Sequence, residues 1–318
     1  MNLEKELVSL SYSIYFNDDL FESKYDNDGG RIKTPPYSLR IGDLLIRCCT
    51  EIEALIQALS EEKEDKIREL SYFDSKKEIT AGIRLQYLNS IWKLDKKVVS
   101  VSCTNMFFMQ GSNKLFAPFA YCKDDENDYY SAYNAIKHNR NEKTIYKGNI
   151  RFLLRAMAAL YLLNVYYKDE IFELGTLAAP KNFDLALQSD LFAVKYELLT
   201  RIPYLGDELN SLDDVTYIGT YEQASYERLV KKHNEFDQKI SRLMVELMSN
   251  PEKYKDVLSG ISLSVIQNTD DLLKLLAEIS KEKYFQILAP YGSELGKSER
   301  VAVLNKDQNL VNNLPIIK

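Results

Sequence analysis

The stretch YYSAYNAIKHNRNE, Tyr129–Glu142, gathers an amide, an imidazole and two cations within one helical run. On a helix, Tyr130, Asn134 and His138 fall at i, i+4 and i+8 and stand one above another on a single face. Tyr129, Tyr133 and Ile136 form the neighbouring apolar stripe, and Lys137 and Arg140 add positive charge at the helix end. An imidazole titrating near neutrality beside an amide donor and two cations suits proton transfer at a phosphate. The cations would stabilise the charge that builds on a pentacovalent phosphorus. An ordinary structural account covers the same residues. Acids at the helix start (Asp124, Asp125, Glu126, Asp128) and bases at its end are what the helix dipole favours, and His138 can cap terminal carbonyls. Both accounts stand at this point.

The rest of the chain narrows the chemistry. It holds two histidines, His138 and His233, which removes most histidine-based metal sites. His233 sits between Leu229 and Phe236 at a seam position, flanked by Lys231 and Lys232, and reads as a packing residue. Cys48, Cys49, Cys103 and Cys122 form no CxxC pair and read as reduced, mostly buried thiols. The acidic run KDDEND reads as a solvated loop and helix start. There is no G-x-x-x-x-G-K-[ST] loop, no G-x-G-x-x-G, no G-x-S-x-G elbow, no H-E-x-x-H and no EF-hand loop, which disfavours P-loop NTPases, Rossmann dehydrogenases, α/β-hydrolases and zincins. No metal or cofactor is expected. A net charge of −6 confines any nucleic-acid contact to a local patch, since proteins held by bulk phosphate contacts are basic. Nothing at the N-terminus reads as a signal peptide, and the apolar stretch Phe152–Tyr167 is interrupted by Arg155 and Asn164. A cytoplasmic protein that does not enter a membrane is expected.

The elements that must position these residues are mainly helical. Leu3, Leu7, Leu10 and Ile14 mark an amphipathic first helix. A polar loop follows, in which the Gly29-Gly30 and Pro35-Pro36 pairs forbid regular structure. Ser38 caps a second helix running to about Leu59, on which Arg40, Asp43, Arg47 and Glu51 form a polar stripe. That stripe is either an i, i+4 charge ladder or a face turned to the His138 helix. Residues 60–70 are charged on nearly all faces, and residues 97–121 read as a β-hairpin insertion. Asn149 to about Phe172 is apolar almost all round and belongs at the centre of a bundle. GTLAAPKN, residues 175–182, reads as a linker, dividing the chain into 1–175 and 176–318. Beyond it lie short strands in LFAVKYELL and VTYIG, a long helix Glu222–Ser249 stopped by Pro251, and a helix Asp270–Ser280. The tail from Val301 reads as an edge strand or unpaired. The expected fold class is mainly α: a helical bundle with a β-hairpin insertion and a smaller mixed α+β C-terminal region.

Following a helix-rich segment and preceding an apolar helix, YNAIKHNR resembles the motif region of the HEPN superfamily of small helical-bundle proteins, the likeness covering roughly residues 1–175. Many members are metal-independent ribonucleases of toxin–antitoxin, abortive-infection and CRISPR-linked systems. The resemblance implies a component of bacterial antiphage defence or of a toxin system, with RNA as substrate and a homodimer that pairs two His138 helices. It assigns His138 as general acid/base, with Asn134 and Arg140 as its catalytic companions. Lys137, Tyr130, Tyr133 and Arg47 are the expected substrate-binding residues. Aligned on Asn134 and His138, the family's phosphate-supporting arginine falls at Tyr133. Either Arg140, Lys137 or an arginine of the second helix supplies the charge, or the chain is a non-catalytic HEPN-like interaction or nucleic-acid-binding subunit of a larger complex.

Overall fold

The computed structural model describes residues 2–20, 24–25, 31–33, 35–70, 78–120, 129–138, 145–176, 189–198, 212–250 and 281–306. The expected helix at 270–280, the acids at 124–128, Arg140 and residues 177–182 of the expected linker lie outside them.

Two helices form the centre. In α2, Leu39–Ser60, the Ser38 side chain accepts a hydrogen bond from the Ile41 N–H at 3.1 Å, the expected cap. In α7, Ile150–Lys168, the Asn149 carboxamide oxygen accepts from the N–H groups of Arg151 and Phe152. The chain reaches α7 through α3 (Glu64–Leu70), α4 (Ala81–Trp92), a short α5 (Gly111–Lys114) and α6 (Tyr129–His138). α1 spans Asn2–Ser11, with Leu7 and Leu10 buried as their spacing predicts. α7 is buried on nearly every side, and Cys48 of α2 meets Met157 of α7 at 3.3 Å between sulfurs. Both helices start at the same end of the molecule. There the Ile150 N–H donates to the Pro36 carbonyl at 2.9 Å. Gly148 lies so near Gly42 that a Cβ on it would sit 2.9 Å from the Gly42 Cα, so only glycine permits this approach. Trp92 at the end of α4 stacks on Tyr166 at 4.9 Å.

The strands are short. β1 (Phe16–Asn17) pairs parallel with β5 (Met106–Phe107), and β2 (Lys24–Tyr25) pairs antiparallel with β3 (Arg31–Lys33). The polar loop expected to lack regular structure therefore carries short strands, since neither the Gly29-Gly30 nor the Pro35-Pro36 pair falls within the paired residues. β4 (Val99–Val101) pairs antiparallel with β6 (Leu115–Phe116), as a hairpin insertion requires. On its other side β4 takes β8 (Phe192–Val194), a strand from far downstream. The second sheet has the order β7 (Phe172–Gly175), β11 (Arg300–Leu304), β10 (Tyr217–Tyr221), β9 (Tyr196–Leu198). Only its β10–β9 pair is parallel. β11 is thus an interior strand and not the edge or unpaired tail its sequence suggested; two neighbours cover it, and Ala302 and Leu304 are buried.

The division expected at 175/176 passes through shared structure. β7 before it is hydrogen-bonded to β11 beyond it, and one apolar core runs from Leu7 to Leu304. Two polar contacts join the same parts. The buried Glu4 carboxylate accepts from the Ser189 hydroxyl and from the Leu191 N–H at 3.0 Å, and the buried Lys97 ammonium donates to the Val215 carbonyl at 2.8 Å.

From β10 the chain enters α8, Gln223–Ser249, capped by Glu222, and it returns to β11 through α9, Lys281–Lys297. Arg228 pairs with Glu294 at 2.9 Å and His233 lies against Tyr291, so the two helices run antiparallel. At 1.5 Å per residue α8 alone is about 40 Å long. The fold is mainly α, with a mixed α+β region built on the second sheet. Among the described residues no helix is long and apolar enough to cross a membrane.

Candidate functional site

α6 packs one side only. Tyr129, Ala132, Tyr133 and Ile136 are buried against α2 and α7, and Asn134, Lys137 and His138 are exposed. The apolar spacing of the sequence explains this orientation: four inward residues at i, i+3, i+4 and i+7 leave the outer face to water. Asn134 and His138 stand one turn apart on that outer face. Among the described residues neither makes a hydrogen bond or ion pair.

Tyr130 begins the same stripe but turns to α2. Its hydroxyl donates to one oxygen of the Glu53 carboxylate at 2.7 Å. Tyr133 donates to the other at 3.3 Å, and the Lys137 ammonium donates to the Tyr133 oxygen at 2.6 Å. Lys137 also lies over the Tyr133 ring, 4.8 Å from its centre. The environment shows in the acidities. Burial first, and then the bond to Glu53, push the Tyr130 phenol far above its ordinary range, and the bond to Tyr133 holds the Lys137 ammonium above its own. Glu53 is the residue that sequence reasoning missed. Its one signal is position: it follows Ile52 and precedes Ile56, at the edge of the buried side of α2.

Arg47 does not join this group. Its guanidinium makes a bidentate pair with Glu6 of α1, at 2.8 and 2.6 Å, which raises Arg47 and lowers Glu6 in pKa. Gly42, which touches Ile136, and Glu53 mark the side of α2 facing α6. Arg47 lies about 140° around the axis from that line at 100° per residue. Of the two alternatives for the Arg40–Glu51 stripe, the face turned to the His138 helix fails at Arg47: Gly42 and Glu53 face α6, and Arg47 turns to Glu6 of α1. Arg140, expected beside His138, lies outside the described residues.

His233 lies in the seam between α8 and α9, stacked near Phe236 and Tyr291 at 6.2 and 5.6 Å, with its Nε2 3.2 Å from the Asp237 carboxylate. Among the described residues, no three His, Cys, Asp or Glu side chains converge as ligands for a metal. Compared with known protein families, with characterised proteins and with solved structures, the chain matches none. The chemistry is therefore argued from the geometry. An imidazole and an amide open to water on one helix face can reach one phosphodiester together, with an anchored ammonium on the flank.

Proposed function

We propose that this chain is a HEPN-like component of a bacterial defence or toxin system that cleaves RNA without a metal, with His138 as general acid/base. One observation supports the reading most: Asn134 and His138 share the water-facing side of α6, and among the described residues neither has a hydrogen-bond or ion-pair partner. In the reaction, the imidazole takes the proton of a ribose 2′-hydroxyl as that oxygen attacks the adjacent phosphorus. The bond to the 5′-oxygen breaks, the imidazolium returns the proton to it, and a 2′,3′-cyclic phosphate forms. Asn134 donates its amide hydrogens to a non-bridging oxygen. The open outer face of α6 is where a second copy would pair its own His138 helix.

A second reading, a non-catalytic HEPN-like interaction subunit, is favoured by Tyr133. This residue occupies the position of the family's arginine, yet it is 1% exposed and packed between α6 and α2. Incubation of total RNA with purified protein in EDTA separates the two. The ribonuclease reading expects cleavage that persists in EDTA and disappears in His138→Ala. Intact RNA, or equal cleavage by the variant, leaves the interaction subunit.

A further inference from the structure

Resting on the ribonuclease reading, the site still requires a positive charge, because negative charge grows on the phosphate oxygens as the 2′-oxygen attacks. Arg47 is clamped by Glu6 on the side of α2 turned from α6. Lys137 is on α6 itself, one residue before His138 and three after Asn134. Most exposed lysines sample many rotamers, but this one is tethered. Its ammonium is 2.6 Å from the Tyr133 oxygen and lies above the ring of the same residue. The ring is fixed in the core at 1% exposure, and its hydroxyl is held in turn by Glu53. Ammonium to phenol to carboxylate is one directed chain of donors. It uses one of three ammonium protons and leaves two for phosphate oxygens.

We propose that Lys137 is the phosphate-binding cation of the Asn134–His138 face, and that Tyr133 and Glu53 are its positioning residues. The ligand class is the phosphodiester backbone of single-stranded RNA. On this account the tyrosine at the family's arginine position does not vacate the charge. It delivers a charge from one turn further along the helix.

The test measures binding of a fluorescein-labelled single-stranded RNA oligonucleotide of mixed sequence to the full chain carrying His138→Ala, which prevents cleavage, over a range of salt concentrations. Lys137→Met should weaken binding about fivefold to tenfold and reduce the slope of log affinity against log salt by about 0.7, the loss of one phosphate contact. Tyr133→Phe keeps the ring in the core and removes only the hydroxyl. It should weaken binding about threefold, and should have no further effect once Lys137→Met is present. Tyr133→Phe that weakens binding equally in both backgrounds overturns the positioning role. Lys137→Met that leaves affinity and slope unchanged overturns the charge assignment, while cleavage lost in His138→Ala alone would still support the ribonuclease reading. A wild-type chain that neither binds nor cuts RNA removes both.

Discussion

The chain's two histidines stand on helices of very different surroundings. His138 closes a ten-residue helix that buries one side only, and it faces water with no hydrogen-bond or ion-pair partner among the described residues. His233 lies well inside a 27-residue helix at a seam position, 2% exposed, in a cluster with the rings of Phe236 and Tyr291. The two lysines Lys137 and Lys97 repeat the contrast. Lys137 is exposed and held by a phenol, and Lys97 is enclosed with its ammonium on the Val215 carbonyl. Residue type therefore says little about role here. What separates a water-facing group from a packed one is whether the pattern around it closes a second apolar side.

The largest test of that contrast is a crossed pair of substitutions read on both activity and stability. His138→Ala should lower RNA cleavage by about 10²–10⁴-fold, the usual contribution of general acid/base transfer, with no change in the urea midpoint. Loss of stability on His138→Ala, with cleavage retained, breaks the comparison. Next comes Lys97. Burial draws its ammonium from the ordinary 10.5 down to about 8, against the pull of Asp213, Asp214 and Asp95. Between those values the unfolded chain binds the proton and the folded chain releases it, so this group's contribution to stability rises with pH through the window. The rise is on the order of 3 kcal/mol and should be absent in Lys97→Met, as urea melts at pH 7.5 and pH 10 will show. His233→Ala should cost about 2 kcal/mol through lost packing, with cleavage per folded molecule preserved. The smallest effect is expected at the exposed pair: Arg47→Met should lower stability by less than about 1 kcal/mol, and less again at high salt. A larger loss would mean that the Glu6 contact organises α1 against α2.

Much of the helical frame is written locally. Ser38 and Asn149 announce helix starts, and the all-round apolar run after Asn149 announces the buried centre; all three hold in the structure. The inward and outward faces of α6 follow from spacing alone. The missing parts are relations between distant residues. Nothing near Glu53 signals that two tyrosines some eighty positions on will donate to it. Nothing near Arg300–Leu304 signals strands on both sides. The polar stripe of α2 left two alternatives open for the same reason: its charges are visible in sequence, but which neighbour they meet is decided by tertiary packing, and for Arg47 that neighbour is Glu6 of α1.

The antiparallel α8–α9 pair lies between two strands that are direct neighbours, with Tyr221 opposite Arg300 at the point where the helices enter and leave the sheet. Joining β10 to β11 as a bare loop of roughly eighty residues would carry a substantial closure entropy. The α8–α9 seam, held by contacts such as Arg228–Glu294, spans most of that separation and brings the two strands together. The Glu222 N–H bond to the Glu299 carbonyl lies where the seam meets the sheet. The closure cost of the β10–β11 pair is thus carried by the α8–α9 seam, so the strand pair and the helix pair stand or fall together.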